Sequence, residues 1–291
     1  MRRPRRLADM PSALAPAAGK SPPIALRRDD DPAQRFDRSR RIAWIDLDRI
    51  ARTRVLIVGA GALANEAAKD LALSGFRSFT LVDPDRVVTT NLNRCIFFTE
   101  GDAARRELKV NAVRRGMMAL DPAVAVETHA DRVENLPESV FAEHDLVVGC
   151  VDNVAARVHT NAHAYFHGKP YIDGGTLGMV GKVQVVLPPG SPCLQCGMNK
   201  THMAEVARRY SCTGAGMTFV EAAQAAEITT TSIVAAVQAR EAVKVASGRA
   251  DRTVDNLWYY DGLKGSAEVL RVPLNRACPV HNGARSARPK D

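Results

Sequence analysis

Residues 55–64 read Val55-Leu56-Ile57-Val58-Gly59-Ala60-Gly61-Ala62-Leu63-Ala64, and this stretch decides the fold. The unbroken aliphatic run suits a short strand buried on both faces, as in a parallel sheet covered by helices. Gly59 and Gly61 permit a tight turn and a close approach of backbone amides to phosphate, and a helical pattern begins at Ala62. A helix N-terminus placed there adds free N–H groups and a partial positive charge. Ala64 stands where such a turn has its third glycine, a change that a close helix–strand contact tolerates. A second strand is expected over 79–83. It ends on Asp83, 22 residues after Gly61, where a carboxylate accepts bonds from ribose hydroxyls. The combination favours a nucleotide site over a plain structural turn.

Working outward, strand and helix alternate. Helices are expected over 62–74, 107–120 and 153–167, and strands over 124–128 and 145–150. The second half changes character: 182–187 alternates like a half-exposed antiparallel strand, and a turn-rich stretch follows. A short helix near 202–209, a long Ala-rich helix over 228–247 and strands at 257–260 and 268–272 complete the pattern. The expected fold is α/β: a Rossmann-like, largely parallel sheet with helices on both faces, extended by antiparallel strands and a structural zinc site. The expected organisation is a disordered basic arm (1–34), one domain over 35–282 and a flexible tail (283–291). Within the domain, a nucleotide-binding half runs to about 175 and a zinc/cysteine-loop half covers 176–282.

Most of the net charge of +8 over 291 residues belongs to the N-terminal 54 residues, the arm and the stretch that follows it. Residues 1–54 carry 14 Lys/Arg against 7 Asp/Glu, and the other 237 carry 26 against 25. No aromatics interleave with the arginines, so the arm reads as a solvated tail and nucleic acid is not the expected partner. No apolar run reaches the roughly 18 residues of a membrane span, and no h-region follows the basic N-terminus. A cytoplasmic protein is expected, in which spaced cysteines bind metal or do chemistry.

Two further cations, Arg94 (in Asn91-Leu92-Asn93-Arg94) and Lys109, fall near the phosphate turn and suit a triphosphate whose charge must be neutralised as pyrophosphate leaves. Asp152 lies past the strand 145–150, where open α/β sheets bind ligands, and a carboxylate there could hold Mg²⁺. Taken singly, Arg94 and Lys109 read as surface charges and Asp152 as a helix cap; their joint placement favours ATP. Cys193 and Cys196 have metal-ligand spacing, which Cys278-Pro279-Val280-His281 repeats with imidazole as the fourth donor, a good tetrahedral zinc set. A redox Cys-x-x-Cys is the competing reading. Cys212 stands alone behind Arg208 and Arg209, which favour the thiolate. Cys150 reads as packing. His159, His163 and His167 share one face of a helix, read as solvated.

Taken together, GAGALA, LVDPD, NLNR, the Leu108-Lys109 pair and Val151-Asp152-Asn153 resemble the adenylation domain of the ubiquitin-activating enzyme superfamily, which includes bacterial adenylyltransferases of molybdopterin and thiamine synthesis. The segment DGGTLGMVGKVQVVLP (173–188) with Pro192-Cys193-Leu194-Gln195-Cys196 is more similar to the catalytic subunits of ubiquitin-like-activating enzymes. The resemblance covers about residues 35–281. It implies Asp83 on the ribose, Asn91, Arg94 and Lys109 on the phosphates, and Asp152 on magnesium. It further implies a homodimer in which Arg38, from Arg35-Phe36-Asp37-Arg38, reaches the partner's ATP site. His281 departs from the pattern, which more often has cysteine there.

The activity so implied is ATP-dependent adenylation of the C-terminal carboxylate of a ubiquitin-like protein with a Gly-rich or small-residue tail. Capture as a thioester on Cys212 and transfer to a conjugating-type enzyme would follow. The nearest rival is a sulfur-carrier adenylyltransferase, which the short span from Cys196 to residue 228 fits. A nicotinamide oxidoreductase, a non-catalytic scaffold and an activator acting on tRNA are more distant rivals.

Overall fold

The computed structural model describes residues 34–198 and 225–281. Most of the basic arm, the tail, the expected helix at 202–209 and Cys212 lie outside the described residues. The chain divides into two compact units, Met1–Ala43 and Trp44–Asp291. In the first, helix α1 (Asp37–Arg40) carries Arg38, and the Arg41 guanidinium pairs with the Asp37 carboxylate at 2.8 Å.

The second unit begins with α2 (Leu47–Arg52) and is built on one eight-stranded sheet. Its strands are β1 (Arg54–Val58), β2 (Ser78–Val82), β3 (Ala125–His129), β4 (Leu146–Gly149), β5 (Tyr171–Leu177), β6 (Val180–Val186), β7 (Leu257–Asp261) and β8 (Ser266–Leu270). The order is β3-β2-β1-β4-β5-β6-β7-β8. The first five strands are parallel, and β6, β7 and β8 are added antiparallel. The helices between them are α3 (Ala62–Leu73), α4 (Glu100–Arg105), α5 (Lys109–Leu120), α6 (Ser139–Ala142), α7 (Val154–Phe166) and α8 (Ile228–Ala246). This is the α/β architecture expected from the sequence.

The run Val55–Val58 is apolar throughout because both of its faces are covered. Leu56 and Val58 join a core with Phe141, Val147, Ala156 and Tyr165 on the side of α6 and α7. On the other face α3 and α8 lie against one another. The small side chains Ala64, Ala67, Ala68, Ala235, Ala239 and Ala242, all buried, let two helices approach closely. Burying each of Leu56 and Ile57, both fully covered, contributes about 1.5–3 kcal/mol.

Strand β5 is not read from the sequence, because Gly174-Gly175 interrupts its apolar pattern. The structure supplies the reason for both glycines. A Cβ on Gly174 would lie 2.3 Å from the Gln238 side chain of α8, and one on Gly175 would lie 3.0 Å from the Arg157 guanidinium of α7. The two long side chains press on opposite faces of the strand. Gln238 then donates to the carbonyls of Gly149 (3.0 Å) and Ile172 (3.1 Å), joining the ends of β4 and β5 from above.

Candidate functional site

The strand order reverses direction between β1 and β4, and a cavity of about 410 Å³ opens at the carboxyl ends of the strands there. That is the position at which open α/β sheets bind ligands, and the volume is in the range of small-molecule sites. Gly59, Gly61, Asp83, Asn91, Arg94, Lys109 and Asp152 all line it.

Gly59 has φ +101°, and a Cβ there would meet the Cys150 carbonyl oxygen at 2.6 Å, so both conformation and space demand glycine. Gly61 differs. Its φ of −77° suits any residue and a Cβ would touch nothing within 4 Å, so what its missing side chain leaves open is the floor of the cavity. Gly61 is also the N-cap of α3 and offers no capping side chain, so the first-turn amides are left for a ligand.

Asp83 is buried and ties the turn to β2: its carboxylate accepts from the amides of Ala60 (2.7 Å) and Asp85 (2.8 Å). Burial pushes this carboxyl up from its ordinary range, against the pull of Lys109 and the two amides. Two carboxylate oxygens hold more lone pairs than two amides use, so acceptor capacity for ribose hydroxyls is retained. Burial works against the Lys109 ammonium, but Asp83, Asp85 and Asp152 outweigh it and its pKa lies above the ordinary value. Lys109 donates to Asp85 at 2.7 Å, so it is held charged at the cavity wall and is not a loose surface lysine. The Arg94 guanidinium donates to the Thr90 carbonyl and to Asn93 Oδ1 (3.0 Å). Asn91 accepts the Val88 amide at 3.1 Å, shaping the loop that carries Arg94.

The cap of α7 is Asn153, whose side chain accepts the Ala156 amide at 2.8 Å. Capping is therefore not the task of Asp152, an exposed carboxylate one residue earlier at the mouth of the cavity. Beneath it lies a network that sequence reading missed. Arg157 donates to Asp173 at 2.6 Å, to the Gly174 carbonyl at 2.8 Å and to the Val151 carbonyl, and Tyr171 donates to Asp173 at 2.8 Å. The only sequence signal was an arginine inside an apolar helix and an aspartate inside an apolar strand, two charges that burial would penalise unless they met.

The second cluster lies on the α7 side of the sheet. Cys193, Cys196, Cys278 and His281 bring their donor atoms within 4.8 Å of one another. Sulfur–sulfur separations of 3.6 and 3.9 Å and a Cys196–His281 Nε2 separation of 3.2 Å surround one point. Zinc–sulfur bonds of about 2.3 Å would place tetrahedral sulfurs about 3.8 Å apart, so the donor set fits such an ion. The remaining described cysteines make poor thiolates. Burial raises Cys95 to about 11 and Cys150 to about 12, and Cys150 packs against Gln238.

The histidine face of α7 is half-buried, where the sequence reading expected a solvated one. His159 and His163 stack 4.2 Å apart and pack against Phe141 of α6. Desolvation, then the neighbouring His163, lowers His159 to about 4, with Glu134 pulling the other way; His163 is also lowered by burial, between Glu138 and His167. The unfolded chain therefore takes up a proton that the fold refuses between about pH 6.5 and about 4. The stability this imidazole contributes is complete above that window and falls as the pH falls through it. Urea midpoints across the window should decline with acid, and His159→Leu should flatten the decline; an unchanged slope would refute the assignment.

Arg38 lies in α1 of the first unit, and Cys212 lies outside the described residues. Among the described residues no helix is long and apolar enough to cross a membrane.

The chain is similar to several known proteins. The chain is 28% identical over 256 residues to the molybdopterin-synthase adenylyltransferase of Escherichia coli, covering 86% of this chain and 97% of that one. It is 32% identical over 240 residues to the sulfur carrier protein adenylyltransferase of Thermus thermophilus, covering 80% and 83%. It is 35% identical over 156 residues to the NEDD8-activating enzyme E1 catalytic subunit of Arabidopsis thaliana; there it covers 49% of this chain and spans only about a third (34%) of the relative. The crystal structure of E. coli MccB with ATP shares the fold at a TM-score of 0.68 and 17% identity, covering 86% of this chain and 75% of that one. Residues 37–280, nearly the whole of both described segments, match the ThiF family, and the chain belongs to it.

Proposed function

We propose that this protein uses ATP to adenylate the C-terminal carboxylate of a small ubiquitin-like carrier protein, and then captures the carrier on Cys212. One observation carries the first step: the phosphate turn, a buried ribose acid, two held cations and an exposed carboxylate converge on one cavity at the strand-order reversal. A carboxylate is a poor electrophile. Its oxygen attacks the α-phosphorus of ATP, the bond to the bridging oxygen breaks, and pyrophosphate leaves while an acyl adenylate forms. The residues supply position and charge: the α3 amides and Asn91 place the phosphates, Asp83 the ribose, and Arg94 and Lys109 offset the charge of the departing pyrophosphate. Asp152 would hold Mg²⁺, which when bound neutralises phosphate charge. In a homodimer, Arg38 would add a cation to the partner subunit's site. Cys193, Cys196, Cys278 and His281 would hold a structural zinc.

The thiolate of Cys212 then attacks the acyl carbon and AMP leaves, giving a thioester for a conjugating-type enzyme. The high thiol pKa values of Cys95 and Cys150 support Cys212 by removing two competitors. A second reading, a sulfur-carrier adenylyltransferase whose adenylate goes on to a thiocarboxylate, is favoured by the relatives matched along nearly their full length.

Incubation with ATP, Mg²⁺ and candidate carriers separates the two. Carrier-dependent pyrophosphate exchange is expected in the wild type and in Cys212→Ala, since adenylation needs no thiol. The wild type should also form an ATP-dependent adduct, cleaved by reductant, that Cys212→Ala lacks. Exchange without an adduct selects the sulfur-carrier reading, and absence of exchange with every candidate sinks adenylation.

A further inference from the structure

Helix α7 joins the two sites. Its first turns, with Ala156 and Arg157, line the nucleotide cavity, and four residues further on the same helix reaches the Cys₃His cluster through Asn161 and Tyr165. Asn161 is fully buried. Its Oδ1 accepts the Leu194 amide at 3.1 Å, which fixes the orientation of the side chain. That leaves Nδ2 buried with no hydrogen-bond partner, and the Cys193 side chain is the neighbouring group that feels it. A buried donor without a partner is costly, whereas a metal-bound thiolate would accept from it.

Tyr165 lies one helical turn later, edge-on to His281 with ring centroids 4.6 Å apart. Its phenolic oxygen is 2.9 Å from His281 Nδ1 and accepts the Gly190 amide at 3.0 Å. The other ring nitrogen, Nε2, points at the cysteine sulfurs. A neutral imidazole that offers its Nε2 lone pair to a cation must carry its proton on Nδ1, and that proton needs an acceptor. The phenolic oxygen is that acceptor, held in place by the Gly190 amide and by burial.

We propose that Asn161 and Tyr165 are positioning residues of the metal site. Tyr165 locks His281 in the tautomer and ring orientation that ligate through Nε2, and Asn161 donates to the Cys193 thiolate. Tyr165 is thus the companion of the histidine at this corner, with no such task if the fourth ligand were cysteine. The proposal rests on the zinc reading and deepens it.

The test uses the full chain with zinc as the probe. Zinc content and affinity, by chelator competition, are compared for wild type, Tyr165→Phe, His281→Cys and the double variant. Tyr165→Phe should weaken zinc binding by about 10–100-fold. In the His281→Cys background the same substitution should leave affinity unchanged, because no imidazole remains to orient. Equal losses in both backgrounds would show packing alone, and an undiminished affinity in Tyr165→Phe would likewise overturn the proposal. Purified wild type that holds no zinc and takes up none sinks the zinc reading itself, a distinguishable result. Cobalt-loaded wild type gives a readout independent of any variant's folding. One slowly exchanging, paramagnetically shifted imidazole N–H resonance is expected from His281 Nδ1–H, and its absence would contradict the tautomer.

Discussion

Asp152→Ala and Arg94→Ala should each cut carrier-dependent ATP–pyrophosphate exchange by about 10²–10³-fold, the usual loss when a group positioned for transition-state charge is removed. The fold should survive both changes. Asp152 is exposed and the cap of α7 is Asn153, while Arg94 donates only locally, to Thr90 and Asn93, within its own loop. Circular dichroism and the thermal midpoint should therefore match the wild type while exchange collapses. Normal exchange by both folded variants would remove the assignment of this cavity to ATP. The same variants test site sharing: mixed dimers of Arg38→Ala and Asp152→Ala chains should regain part of the activity, since one of the two hybrid sites would be whole. No recovery in demonstrated mixed dimers would place Arg38 outside the partner's site.

Asp173→Ala should destabilise the protein by about 3–5 kcal/mol, the cost of stranding one member of a buried ion pair. Asp173 is fully buried and accepts from both Arg157 and Tyr171, so its removal leaves a guanidinium and a phenol without their carboxylate. Domains are stable by about 5–15 kcal/mol, so the variant would be close to unfolding at ambient temperature. Adding Arg157→Met should recover much of the loss, because a buried pair replaced on both sides leaves no uncompensated charge. Urea denaturation is measured for the wild type, Asp173→Ala, Arg157→Met and the double variant. A single variant within 1 kcal/mol of wild type, taken as about the scale of one neutral hydrogen bond, would mean that water reaches Arg157 and screens it.

The sequence by itself determined the first half of the architecture and the outline of both sites. Val55–Val58, Gly59 and Gly61 carry their meaning locally: an aliphatic run implies a strand covered on both faces, and paired glycines before a helix imply an amide-lined turn. Asp83, Arg94 and Asp152 are legible from their places at or just past strand ends, because a parallel sheet delivers the residues after its strands to one edge, and Lys109 from its place at the start of a helix. The spacing of Cys193, Cys196, Cys278 and His281 likewise exposed a ligand set. Tertiary structure alone decided whatever depends on two segments meeting. The glycines of β5 follow from Gln238 and Arg157 on helices at opposite faces of the strand, the pairing of Arg157 with Asp173 from a helix crossing a strand, and the partial burial of His159 from Phe141. Tyr165 and His281 stand 116 residues apart and meet at 2.9 Å. Such partners leave no periodicity to read, because a buried polar group needs only that its partner arrive in space, and nothing in that requirement fixes where along the chain the partner lies.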